Sequence, residues 1–182
     1  MKLRARALSV AVPLLIGASV VAVQSNGSAG AAPTVLTIAA PAKVGYSADT
    51  TSTATRLWSQ CVVATNVARS EKGLVPLQLD IRVAMAAAGQ SAYQAQAQRM
   101  SHTGTGGSNA GNRLDAAGYS WSTWGENVAA GQADCATVLT AWLGSPSHRA
   151  NILNPAFRHI GIGMALGANG VPYWTMDLAA GG

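Results

Sequence analysis

Between Thr53 and Lys72 the positions Leu57, Cys61, Ala64 and Val67/Ala68 recur at helical spacing, and Gly73 follows the run. This pattern predicts a first helix that stops at the glycine. Gly73-Leu74-Val75-Pro76 then turns the chain, and Asp80 is placed to cap a second helix reaching about Met100. Ile81, Ala84, Met85, Ala88 and Ala92 would form its apolar face. The glycine-rich stretch from Gly104 to Gly111 predicts a loop, and Asn112 a cap for a short helix over 113–117. Residues 121–129 read as extended. Asp134 can open a helix to about Leu143, with Val138, Leu139 and Trp142 as core candidates. Ser145-Pro146 restarts a short helix ending near Leu153, with serine as cap and proline in the first turn. The period then changes. Residues 159–166 and 172–178 read as two strands around Gly167-Ala168-Asn169-Gly170, a hairpin signal. Helices early and strands late give an α+β class, with helices packed on a small antiparallel sheet.

Composition changes this picture mainly at the N-terminus. Lys2, Arg4 and Arg6 precede an uncharged apolar run over 7–23, and Ala29-Gly30-Ala31 supplies small residues before a cleavage point. Residues 1–31 therefore read as a secretory signal and the mature chain as starting near Ala32. The rival reading is a transmembrane anchor; the run is short for a span and contains Pro13 and Gly17. Residues 32–54, rich in Ala, Thr, Ser and Pro, read as a flexible leader, and 55–182 as the folded domain. The formal charge of +5 comes from 12 basic and 7 acidic residues. Three basic residues lie in the signal, which leaves nine against seven and no basic block. Nucleic-acid binding thus gets little support. In an exported chain the two cysteines, Cys61 and Cys135, predict one disulfide; two buried free thiols are the alternative.

Charged residues make up only 10% of the chain, yet three of its polar strings hold chemically able side chains. These are Ser101-His102-Thr103-Gly104, Gly125-Glu126-Asn127-Val128-Ala129, and Ser145-Pro146-Ser147-His148-Arg149-Ala150-Asn151-Ile152-Leu153. Two imidazoles and a carboxylate can hold zinc or another divalent cation with an open coordination position, and a bound metal could polarise a water. They can equally form a hydrogen-bonded cluster that braces loops and needs no metal. No His-Glu-x-x-His or Gly-x-Ser-x-Gly is present, and Ser145 is accounted for as a helix cap. His159, at the start of a strand, reads as a surface residue. Four of the five tryptophans, 121, 124, 142 and 174, read as core and rim packing.

In order and spacing, these strings together with Ile160-Gly161-Ile162-Gly163 resemble the bacterial branch of the CAP superfamily, the domain of cysteine-rich secretory proteins, antigen 5 and plant pathogenesis-related proteins. Asn66, Arg69 and Ala117-Gly118-Tyr119 fit the same pattern, and the resemblance runs from about Thr55 to Leu178. It implies an α-β-α sandwich whose central cavity often carries two His and two Glu. His102, Glu126 and His148 match three of those positions. At the fourth, three residues after Trp142, this chain has Ser145 in place of a glutamate.

Two functions follow as expectations. The first is a secreted, non-enzymatic module whose His/Glu cleft takes a divalent metal or a small ligand. Its partner would be an extracellular small molecule, lipid or macromolecule, with no nucleic acid, no obligatory cofactor and no membrane span once the signal is removed. The second is a metal-dependent, protease-like hydrolase using His102, Glu126 and His148. The incomplete acid set favours the module.

Overall fold

The computed structural model describes residues 48–181; the signal region and most of the leader lie outside them. Helix α1 runs Ala48–Ser70, beginning earlier than Thr53, and closes at Gly73, whose φ of 67° suits glycine. Strand β1, Gln78–Leu79, was not anticipated. Helix α2 spans Ile81–Ala97; Asp80 accepts from the Arg82 backbone N–H at 2.9 Å. After a turn over Thr105–Gly107 comes α3, Ala110–Ala116. Its cap is Asn109, three residues before the Asn112 expected. The two asparagines exchange side-chain-to-backbone bonds as a capping box, so Asn112 is the returning partner.

Strand β2, Trp121–Ala130, leads through Asp134 into α4, Cys135–Gly144. Helix α5, Pro146–Ile152, follows directly. Ser145 occupies its cap position, but its hydroxyl caps no backbone N–H. Strands β3, His159–Leu166, and β4, Pro172–Gly181, form the expected hairpin. The sheet order is β1-β3-β4-β2, antiparallel except for the short β1, which pairs parallel with β3.

Strand alternation divides the sheet between two layers. One face sends Ile160, Ile162, Trp174, Met176, Leu178 and Ala129 into a core with Cys61, Val138, Leu139, Trp142, Ile152 and Phe157. The other face lies under α2 and α3, where Val83, Ala86, Leu114, Tyr119 and Ala179 form a smaller cluster. The α-β-α arrangement is thus present. Cys61 and Cys135 are bonded, with Cα atoms 5.4 Å apart, and join α1 to the start of α4. Among the described residues no helix is long and apolar enough to cross a membrane.

Helix α2 presents a different face to the sheet from the one periodicity suggested. Ile81 and Met85 are exposed, as is Ala92, while Val83, Ala84, Ala86, Ala87, Gln90, Ser91, Gln94 and Ala95 are buried. The cause lies on β3. A Cβ at Gly161 would meet the backbone of Val83 and Ala84, and one at Gly163 the backbone of Ala87 and Ala88. The helix rests on the strand main chain, so only small side chains fit between them. In α1 Val67 is likewise exposed, and the buried line is Cys61, Thr65 and Arg69. Arg69, with no exposed surface, donates to the carbonyls of Val75, Ile152 and Asn154. It thereby fixes the end of α5 against α1.

Candidate functional site

Helix α2 aims the loop that carries His102. Gln94 Oε1 accepts from the Ser101 N–H at 3.2 Å, and Gln90 Nε2 donates to the Ser101 carbonyl at 2.6 Å. Gly104 lets this loop approach the helix, since a Cβ there would collide with Gln90 Oε1 and crowd Arg113 Nη1. On β2, a Cβ at Gly125 would press on the Phe157 ring at 2.9 Å and on Asn151 Oδ1 at 3.2 Å. The neighbouring residues point to opposite sides of the strand. Glu126 faces the α2/α3 layer. Asn127 faces α5, donating to the His148 carbonyl at 3.1 Å, while Asn151 Nδ2 bonds Asn127 Oδ1 at 2.9 Å and the Glu126 carbonyl at 3.2 Å.

Glu126 is the centre of the cluster. Its side chain is 2% exposed, and each carboxylate oxygen has a cationic or imidazole partner. Oε1 lies 2.7 Å from His102 Nδ1, and Oε2 accepts from Arg113 Nη2. The hydrogen bond to Glu126 raises the His102 pKa, with burial opposing it. His102 is 60% exposed, so one edge of its ring stays open to solvent while Nδ1 is fixed.

A cleft of about 340 Å³ opens beside this pair, lined by His102, Asn109, Trp124, Glu126 and Asn151. His148 is placed differently. It lines a neighbouring hollow of about 290 Å³ with Met100, Gln132, Trp142 and Ser145. Burial, and then the charge of His102, lower the His148 pKa. His148 therefore feels the charge of His102, but Glu126 bonds only His102 of the two. Ser145 Oγ faces Ser147 Oγ at 3.5 Å. Among the described residues no group of three or more His, Cys, Asp or Glu side chains is placed to hold a metal ion.

Two members of the cluster were not picked out from sequence. Arg113 projects from α3 and also braces the His102 loop by donating to the Ser108 carbonyl at 2.9 Å. Asp177, on β4 directly opposite Glu126, has no exposed surface, and no donor reaches either of its carboxyl oxygens. Burial, then the Glu126 charge, push its pKa well above the usual carboxylate range. The available signal was the one charged residue in a mostly apolar strand. His159, expected at the surface, is half-buried against Tyr119; its ring meets that ring edge-on and its Nδ1 lies 2.7 Å from the Tyr119 hydroxyl. Trp142 and Trp174 are core residues, and Trp121 packs edge-on against Trp124 at the rim.

The sandwich, the Gly-Glu-Asn strand and the His102 loop define a class, and the chain belongs to it. The cysteine-rich secretory protein family, abbreviated CAP, matches residues 62–178. The chain is 37% identical over 102 residues to YkwD of Bacillus subtilis, an uncharacterized protein; the match covers 56% of this chain and 40% of that one. Among solved structures it is similar to an SCP-domain extracellular protein of Bacillus anthracis, with a TM-score of 0.64 and 27% identity over 75% of this chain and 45% of that one. An outer surface protein of Borrelia burgdorferi shares the fold, with a TM-score of 0.63 and 19% identity over 68% of this chain and 92% of that one. The chain thus spans less than half the length of the first two relatives.

Proposed function

We propose that this protein is a secreted, non-enzymatic binding module that takes a small extracellular ligand in the cleft beside Glu126 and His102. The observation carrying this reading is the state of Glu126. A hydrolase of the kind considered above would need that carboxylate grouped with both imidazoles round one metal or water, but Glu126 is held by Arg113 and His102 while His148 lines a separate hollow. The cleft retains an aromatic wall, Trp124, together with Asn109, Asn151 and the open imidazole edge, a combination suited to a small ligand with one flat face and several polar groups. The reading requires no divalent cation. Export fits the Cys61–Cys135 bond, the extracellular and outer-surface descriptions of structural relatives, and the signal-like residues 1–31.

The test joins turnover to binding. Purified protein is assayed on casein and on activated esters, with and without zinc, beside His102→Ala. Amide spectra are recorded against a library of saccharides and small aromatic acids. The module reading expects no turnover that depends on His102, and ligand-induced shifts at the Trp124 indole and the Asn151 side chain. Zinc-dependent hydrolysis lost in His102→Ala would overturn it. Intact-mass measurement of exported protein checks cleavage near Ala32; a full-length, membrane-retained product would reject secretion.

A further inference from the structure

Asp177 poses a chemical problem that the cluster as described does not solve. Its side chain is wholly buried and neither oxygen meets a donor. A carboxylate in that state would lack both solvent and hydrogen bonds, the costliest arrangement for a buried charge. Its surroundings do not supply a counter-charge of its own. Directly across on β3 stands Gly161, which has no side chain. Thr175, two residues back, is engaged with Ser91 and Gln94. Along α2 the titratable groups are Arg82, paired with Asp80 at the exposed end, and Tyr93. His159 on β3 is bonded to Tyr119. Arg113, whose charge also reaches Asp177, is bonded to Glu126 and donates to neither Asp177 oxygen. The group opposite Asp177 is therefore a second carboxylate, which can only accept.

We propose that Asp177 is an uncharged carboxylic acid that donates its proton to Glu126, and that it acts as a positioning residue for the Glu126–His102 pair. This removes the conflict in one step. A carboxylate oxygen has two lone-pair sites, so Glu126 can take a third donor beside Arg113 and His102. The buried charges then cancel, Glu126 against Arg113. Two facing carboxylates that share one proton are a known solution where like charges cannot both ionise. Glu126, held from three sides, is fixed against rotation, and His102 inherits that orientation through Nδ1. The inference does not depend on what occupies the cleft.

The experiment uses infrared difference spectroscopy of the purified protein against Asp177→Asn near neutral pH. A protonated carboxyl has a carbonyl stretch above the amide band. That band should be present in the wild type and lost in the variant; its absence from the wild type would overturn the proposal. The positioning role is read from the downfield Nδ1–H resonance of His102. It should persist in Asp177→Asn, whose amide still donates, and disappear in Asp177→Leu, which has no donor. If it persists in Asp177→Leu, the positioning role fails. Should Asp177→Leu not fold, loss of the resonance in Asp177→Asn would overturn the role, and its retention there would support it.

Discussion

Glu126 and Asp177 stand directly opposite one another on adjacent antiparallel strands, beneath α2 and α3. A buried acid pair facing one arginine predicts unequal costs for removing its members. Glu126→Gln leaves Arg113, whose side chain is 11% exposed, without its partner, and should cost about 3 kcal/mol. Asp177→Asn replaces one neutral donor by another and should cost less than about 1 kcal/mol. The double variant should lose more than the sum, because in Glu126→Gln alone Asp177 can release its proton and face Arg113 as an anion. Urea unfolding of the four proteins closes this cycle. Strict additivity would show that the two carboxyls are uncoupled.

The glycines of β3 set the distance between helix and sheet. Gly161→Ala would drive a methyl into the backbone of Val83 and Ala84, which cannot move aside as a side-chain tip can. A loss of about 3 kcal/mol is expected from overpacking. Gly89 on the outer face of α2 is the control. A Cβ there meets nothing within 4 Å, so Gly89→Ala should stabilise the protein by about 0.8 kcal/mol through helix propensity. Thermal melts of both variants measure the contrast. A tolerated Gly161→Ala would mean that α2 is not seated on β3 as described.

The Cys61–Cys135 bond joins positions 74 residues apart and closes a segment that includes β1, α2, α3 and β2. By the chain-entropy relation, Cys61→Ala with Cys135→Ala should cost roughly 4 kcal/mol, as an upper figure for a denatured chain without residual structure. The measurement is denaturant unfolding of the oxidised protein beside the double variant. Equal midpoints would contradict the expectation, and peptide mapping without reductant checks the pairing itself.

What could be read from sequence divides along a physical line. Local chemistry was legible. Asp134 marks an element end by capping, and Pro146 and Gly73 by backbone preference, and the structure ends its elements within a few residues of them. His102 and Glu126 came from motif order, and they meet in a hydrogen bond. Features set by distant partners were not legible. The inward face of α2 is chosen by glycines far along the chain, Gly161 and Gly163, and not by its own apolar stripe. Strand β1 has two residues and exists only through its pairing with β3. Asp177 gains its meaning from cross-strand register with Glu126, and Arg113 from the fold that brings α3 over β2.

The two histidines of the motif strings should move stability in opposite directions as pH changes. His102 has its pKa raised in the folded protein, by the hydrogen bond to Glu126 before any other cause. The folded state therefore binds its proton more tightly than the unfolded chain, whose histidines titrate near about 6.5. Its stabilising contribution is fully present below that value and is lost as pH rises through the higher folded value. His148 has its pKa lowered, by burial and then by His102. It carries no penalty above about 6.5, and destabilises the fold as pH falls and the unfolded chain takes up the proton first. Melting temperatures of wild type, His102→Gln and His148→Gln, taken from mildly acidic to mildly alkaline pH, separate the two. Below about pH 6, His102→Gln should be less stable than wild type and His148→Gln more stable, and both differences should shrink toward alkaline pH. Parallel profiles for all three proteins would mean that neither imidazole is held as the structure places it.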